Sequence, residues 1–301
     1  MSVKDIGKTK DFLRTAKVLS EAVPYIRRYA GTTVVVKFGG HAMVDPELAS
    51  LFAQDIVLMR QVGVNPIVVH GGGPQIDQML KRLGIKSEFV DGLRVTTAET
   101  MQVVEMVLAG AINKEVVSAI NQAGGTAIGL SGKDGTLIRA RKLPPIKKGG
   151  REVDLGMVGD PAQIKAAMLA SFAQTGIVPV IAPIGVGEHG ETFNINADTV
   201  AGAVAGATKA KRMLMLTDVA GVLDSAGELI PEMSETEAKK AIADGTVTGG
   251  MIPKVVTCLE AVAGGVEAAV ILDGRIPHAL LLEIFTAHGV GTLIRSAHAR
   301  N

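Results

Sequence analysis

VVVKFGGHAM, Val34 to Met43, is the stretch on which the reading of this chain turns. Three β-branched valines read as a short buried strand closed by Lys37. Gly39 and Gly40 carry no Cβ, so the backbone there can turn sharply and let an anion approach its N–H groups. A helix expected over 46–62 would bring its positive end to the same place. Two readings stay open on these residues: a phosphate cradle at the end of a parallel strand, or a tight βα turn with a snorkelling lysine.

The theme returns in NPIVVHGGGPQIDQML, with a strand over 66–69, a loop of Gly71, Gly72 and Gly73, and a helix from Pro74. Two strand–glycine loop–helix units suggest two anion-binding loops at one sheet edge, beyond the carboxyl ends of the strands. His70, at a strand end, has a catalytic reading and a structural one, of which the structural is preferred. The 301 residues suffice for one large or two modest domains. Hydrophobic residues make up 47% but aromatics only 3%, so Val, Ile, Leu, Ala and Met must build the core, as suits a parallel α/β sheet. A formal net charge of +1 gives no reason to expect nucleic acid or an anionic membrane as partner. No apolar run approaches the roughly 20 residues of a membrane span, and no signal-peptide core is evident. Cys258 is the single cysteine; between a nucleophile and a buried helix thiol, its neighbours Thr257 and Leu259 favour the buried thiol, and a reducing cytoplasm is the simplest setting.

Elsewhere the pattern predicts a frayed polar start over 1–10 and an apolar helix over 11–29, kinked at Pro24. Further helices are expected over 98–108, 113–123, 162–173, 199–207 and 278–286, with an irregular excursion, a hairpin or lid, over 141–161. Arg94, between apolar residues, can hold a carboxylate bidentately or form a surface ion pair. In FNINAD, period-two spacing puts Asn194, Asn196 and Asp198 on one side of an extended segment; the bland alternative is a turn with Asp198 as helix cap. GGMIPK supplies a third glycine-plus-lysine element ending in Lys254.

The GxGxxG match at 185–190 is followed by an extended segment rather than a helix, and GLSGKDG lacks the P-loop spacing. No metal-ligand cluster, paired carboxylates or Ser–His–Asp set is evident. What remains is Lys37, Lys254 and Asp198, without an obvious general base. Phosphoryl transfer asks mainly for positioning and charge neutralisation. A carboxylate acceptor, with a pKa near 4, needs no base near pH 7. Lysines and backbone N–H groups would serve, with Mg²⁺ on the nucleotide phosphates.

VVVKFGG, VVVHGGGP, GLRVT, FNINAD, LTDVAGVL and GGMIPK, in this order, closely resemble the amino acid kinase family, over about 32–295. The resemblance implies a three-layer αβα sandwich with a mainly parallel sheet. It implies ATP-dependent phosphorylation of the side-chain carboxylate of N-acetyl-L-glutamate, the second step of arginine biosynthesis. It divides the chain into an oligomerisation helix (1–30), an acyl-substrate lobe (31–206) and an ATP lobe (207–301). By resemblance, Lys37 and Lys254 stabilise the transferring phosphoryl group, oriented by Asp198. Gly39, Gly40 and Gly72 offer N–H groups to it, and Gly72 and Gly73 also touch the acyl substrate. Arg94, Asn194 and Asn196 hold the amino-acid end, while Thr217, Asp218, Gly249, Gly250 and Met251 line the nucleotide site.

The N-terminal helix and HALLLEIFTAHGVGT resemble the arginine-inhibited members, which assemble as homo-hexamers, trimers of dimers. His278, Glu283 and Gly289 match their L-arginine site best, with Glu283 a partner for a guanidinium. Some relatives of this type also dock a PII-type signalling protein. Two positions depart from the family pattern: Met157 stands where His is expected, and His41 where Asn or Ala is usual. Alternatives are a sister kinase acting on acetylaminoadipate, aspartate or carbamate, and a non-catalytic arginine-binding module. The missing Thr-Ser after KFGG weakens the aspartate option, and the retained lysines and aspartate weaken the module.

Overall fold

The structure, a computed structural model, describes residues 3–287 and 289–296. Helix α1 (Val3–Tyr29) precedes β1 (Thr33–Phe38), a 3₁₀ turn (Gly40–Met43) and α2 (Pro46–Gln61). β2 (Asn65–His70) and α3 (Gly73–Leu83) repeat the unit, and β3 (Phe89–Val90) pairs with β4 (Leu93–Arg94). α4 (Ala98–Glu105), a π-helical segment (Met106–Ile112) and α5 (Asn113–Gln122) run on without a break. Then come β5 (Ala127–Ser131), β6 (Ile138–Lys142), the hairpin β7 (Ile146–Lys148) and β8 (Arg151–Val153), and β9 (Gly159–Ile164). α6 (Ala166–Thr175), β10 (Val178–Ala182), β11 (Ile184–Val186) and β12 (Thr192–Asn194) lead to α7 (Ala197–Ala207). The last part holds β13 (Arg212–Thr217), β14 (Glu232–Ser234), α8 (Glu235–Ala243), α9 (Met251–Ala263), β15 (Ala268–Asp273), α10 (Ala279–Phe285) and β16 (Thr292–Arg295).

Among the described residues the central sheet has eight strands, in the order β14-β16-β15-β13-β1-β2-β10-β5. All neighbours are parallel except β15 and β16. β1 sits in the middle, and its alternation assigns the layers. Val34, Val36 and Phe38 pack with Phe52, Ile56 and Met59 of α2 and Leu80 of α3. Val35 faces the other way, into a core with Val200 and Val204 of α7 and Val255 and Leu259 of α9. This is the α/β three-layer sandwich with a mainly parallel sheet. Cys258 is wholly buried on α9, and burial pushes its thiol pKa far up. No helix among the described residues is long and apolar enough to cross a membrane.

Several elements differ from expectation. The stretch expected to fray is helical from Val3, residues 1 and 2 lying outside the described residues, and α1 runs through Pro24 as one helix. The helix expected over 162–173 begins only at Ala166, because residues 159–164 pair with β6 instead. The helices expected over 98–108 and 113–123 are joined by the π segment. The excursion over 141–161 contains a true hairpin, Ile146–Val153.

Candidate active site

At the carboxyl ends of β1 and β2 a cavity of about 260 Å³ opens. Lys37 shares its face of β1 with Val35 and is 8% exposed. Its Nζ lies 3.1 Å from Asp198 Oδ1, and Lys254 Nζ donates to Asp198 Oδ2 at 2.9 Å. Burial alone would raise the pKa of Asp198, but the charges of Lys37 and Lys254 outweigh it and the net shift is downward. The carboxylate is therefore ionised near neutrality, with both oxygens engaged.

The first glycine loop folds around two side chains. A Cβ on Gly39 would stand 2.4 Å from Lys37 Nζ, and one on Gly40 would stand 2.4 Å from Asp218 Oδ1. Gly40 also has φ +71, which favours glycine. Asp218 Oδ1 accepts from His41 N at 2.6 Å, tying the loop to the end of β13 through the backbone of a residue that departs from the family pattern. The helix expected to aim its positive end here does not. A 3₁₀ turn intervenes, and Asp45 caps α2 by accepting from Glu47 N and Leu48 N. The open N-terminus belongs to α3, which has no side-chain cap and whose first residues, Gly73, Pro74 and Gln75, line the cavity. Gln75 Oε1 is buried there without a hydrogen-bond partner.

Arg94 is no surface ion pair: it is 6% exposed and lines the cavity. Its Nη1 donates to Asp77 Oδ1 at 2.5 Å and to Ser87 Oγ, its Nη2 donates to Gly73 O at 3.3 Å, and the guanidinium lies over the Phe89 ring. Asn194, Asn196 and Asp198 do converge on the cavity, but not from one extended segment. β12 ends at Asn194, and α7 starts at Ala197. Asn196, not Asp198, is the cap, its Oδ1 accepting from Asp198 N at 2.8 Å. Asn194 Nδ2 donates to Thr96 Oγ1 at 3.2 Å. Met157 bonds through its backbone, N to Thr96 O and O from Asn194 N, so its departure from the family leaves this stitching intact.

Thr217, Asp218, Gly249, Gly250 and Met251 are not walls of this cavity. Thr217 ends β13, the strand beside β1, and the Gly249–Gly250 turn opens α9 without a side-chain cap. His278, Glu283 and Gly289 lie apart, around α10. His278 Nδ1 is 2.6 Å from the buried Asp55 Oδ1, whose pKa is raised by burial despite that bond. Glu283 accepts from Val290 N at 3.0 Å, burial raises its pKa, and a Cβ on Gly289 would press on its Oε2. Sequence reasoning missed Gln75 and Leu108, which line the cavity, and Asp77, which holds Arg94.

The amino acid kinase family matches residues 32–273. The chain is 62% identical over 290 residues to the acetylglutamate kinase of Rhodospirillum centenum, covering 95% of each. It is 59% identical over 300 residues to that of Granulibacter bethesdensis, covering 98% of this chain and 100% of the other. Among solved structures, N-acetylglutamate synthase from Neisseria gonorrhoeae, complexed with coenzyme A and N-acetyl-glutamate, is similar with a TM-score of 0.83 at 26% identity. That match covers 93% of this chain and 63% of the synthase chain. The synthase complexed with coenzyme A and L-arginine gives 0.79 at 25% identity.

Proposed function

Because the chain belongs to the amino acid kinase family, we propose that it transfers the terminal phosphoryl group of ATP to the side-chain carboxylate of N-acetyl-L-glutamate. The products are N-acetyl-L-glutamyl 5-phosphate and ADP, the second step of arginine biosynthesis. What carries this reading is the state of Asp198. It is the one carboxylate among the cavity walls, and both its oxygens hold a lysine. No group there is free to take a proton, which suits an acceptor that is already ionised.

Lys37 and Lys254 neutralise charge on the phosphoryl oxygens, and Asp198 holds the two ammonium groups in register. Gly39, Gly40 and Gly72 supply N–H donors. Gly73, Arg94, Asn194 and Asn196 receive the acyl substrate; Asn196 spends its Oδ1 on capping and keeps its Nδ2 for the ligand. A cavity of about 260 Å³ suits a small dicarboxylic acid rather than a nucleotide. ATP then approaches from the side of Thr217, Asp218 and Gly249–Met251, giving an acyl lobe over 31–206 and a nucleotide lobe over 207–301. No group of three His, Cys, Asp or Glu suited to a metal ion occurs among the described residues, so Mg²⁺ would be held mainly by the nucleotide phosphates. When bound it supplies further neutralisation of phosphate charge.

The same reading extends to regulation. α1 leaves Phe12 71%, Leu13 65% and Leu19 63% exposed, a face suited to pairing with a second copy in a homo-hexamer built as a trimer of dimers. Glu283 and Gly289, with His278 at the start of α10, form the site for inhibitory L-arginine. The test is ATP- and Mg²⁺-dependent acyl phosphate formation, trapped as a hydroxamate, with and without L-arginine. Turnover of N-acetyl-L-glutamate suppressed by arginine supports both parts. Turnover indifferent to arginine removes the regulatory part, and no turnover removes the substrate.

A further inference from the structure

His70 is a buried histidine that the proposed reaction leaves unused. It ends β2, pairs in register with Phe38 and is 0% exposed. Its Nδ1 lies 2.8 Å from the Gly71 carbonyl oxygen, and its Nε2 lies 3.2 Å from Asn113 Nδ2. Asn113 Nδ2 also donates to Val180 O at 2.9 Å and lies 3.5 Å from Leu130 O, while Asn113 Oδ1 accepts from Lys114 Nζ at 3.1 Å. The Val180 and Lys114 bonds fix which way the amide faces. His70 Nδ1 faces a carbonyl oxygen, which can only accept, so Nε2 is the bare nitrogen, and of the two further Asn113 Nδ2 contacts the one to Nε2 is the shorter. The ring proton is therefore on Nδ1 and donates to the Gly71 carbonyl. Burial pulls the imidazole pKa from 6.5 to about 4, so the ring is neutral near pH 7.

Gly71 is held at its other end as well, its N–H donating to Phe38 O at 2.8 Å. In a trans peptide the carbonyl of one residue and the N–H of the next point to opposite sides. Fixing the Gly71 carbonyl on His70 thus turns the Gly72 N–H the other way, and Gly72 is a wall of the cavity. The π segment supports the arrangement from below. Leu108 Cδ2 and Ile112 Cδ1 lie 2.6 and 2.4 Å from where a Gly72 Cβ would stand, and Asn113 is the next residue. π-helical turns often mark places where a helix re-aims a functional side chain.

We propose that Asn113 and His70 are positioning residues, a latch that fixes the Gly71–Gly72 peptide so that the Gly72 N–H is aimed at the transferring phosphoryl group. The proposal rests on the phosphotransfer reading above.

Three substitutions and one spectrum test it. His70→Gln keeps a group at the Nε2 position but loses the Nδ1–H donor; kcat should fall by about 10- to 100-fold with KM for ATP little changed. His70→Asn places an amide N–H where Nδ1–H stood and should recover most of that loss. Asn113→Leu frees the ring to take the other tautomer and should also lower kcat, and combining it with His70→Gln should cost no more than His70→Gln alone. Long-range ¹H–¹⁵N spectra of the unsubstituted protein at pH 7 should show His70 neutral and protonated on Nδ1. A ring protonated on Nε2 overturns the proposal, and so does a folded His70→Gln enzyme within about threefold of the wild-type kcat. A His70→Asn enzyme as slow as His70→Gln overturns it too. If His70→Gln does not fold, the spectrum and Asn113→Leu decide. An unsubstituted protein inactive on N-acetyl-L-glutamate faults the substrate reading alone, since the spectrum still reports the tautomer.

Discussion

Asp198→Asn isolates the feature on which the proposed chemistry depends. The amide has the shape of the carboxylate but no charge. Because Asn196 caps α7, the substitution does not uncap the helix. Both ion pairs are lost, at 3.1 Å to Lys37 and 2.9 Å to Lys254; the amide oxygen can accept from one lysine, while its N–H₂ group is set against the other ammonium. Removing one partner of a fully buried pair costs 3–5 kcal/mol; these side chains border a cavity, so about 2–3 kcal/mol is the working figure. In a chain of this size that lowers Tm by on the order of 5 °C. The rate should suffer more. Both lysines lose the group that sets their positions, and kcat should drop by about 10²- to 10³-fold, or 3–4 kcal/mol of transition-state stabilisation. The assay is hydroxamate formation at saturating ATP and N-acetyl-L-glutamate, beside a thermal melt. Lys254→Met and the double variant complete a cycle. If the three groups act as a unit, the double variant is about as slow as the worse single one. A folded Asp198→Asn enzyme within about tenfold of wild type, or strictly multiplicative losses, would refute the reasoning.

Four further outcomes follow from the geometry. Gly39→Ala meets only the flexible end of Lys37 and has extended backbone, φ −170, so Tm should move little while kcat falls by about 10-fold or more as Lys37 is pushed off Asp198. Gly202→Val brings a side chain into Thr257, whose Cγ2 would already lie 3.0 Å from a Cβ there; it should lower stability by about 1–3 kcal/mol and slow turnover by parting Asp198 from Lys254, read by melts and kcat together. His70 has a depressed folded-state pKa, about 4 against 6.5, so the unfolded chain binds more protons between those values and stability must fall as pH drops through that window, by about 3 kcal/mol in all. Urea unfolding from pH 7 to pH 4 should show this slope, and His70→Asn should remove it; Asp55 and Glu283, with raised pKa values, act in the opposite sense and cancel in the comparison. Deleting residues 1–26 should leave kcat near wild type and reduce the particle mass seen by light scattering, and a hexamer that persists would remove α1 from the interface.

The strands and loops around this site were legible because their signals are local. Three valines before Lys37-Phe-Gly-Gly can hardly form anything but a buried strand with a turn, and β1 has those bounds within a residue. The cap of α2 is legible in Asp45-Pro46; of the two helix ends expected beside the glycine loops, it closes the first and leaves that of α3 uncapped. Other features carry no local mark. Residues 162–164 share their apolar spacing with a helix and become strand only because β6 lies alongside. Met106–Ile112 satisfies an α pattern as well as a π one; the extra residue per turn answers to Gly72, more than thirty residues away. Arg94 looks like a solvated cation until Asp77, Phe89 and the Gly73 carbonyl close around it.

A reaction that moves no proton needs fixed charges, and in this fold they are fixed by backbone proximity. Lys37, Asp198 and Lys254 come from β1, α7 and α9, and α7 packs against both of the others. α7 and α9 run side by side in the same direction. Asp198 meets Lys254, Gly202 meets Thr257, and Gly206 meets Gly264, where a Cβ would lie 3.6 Å from Gly264 Cα. These positions step by four along α7, so they share one face, and the missing side chains let the helices approach closely. The length of the Asp198–Lys254 bond is thus set by glycines one and two turns further along the helix. Gly39 does the same for Lys37, and Gly40 for Asp218. In each case the group that carries charge is held by the absence of an atom beside it. A search confined to polar residues therefore finds the charges but misses the glycines that place them.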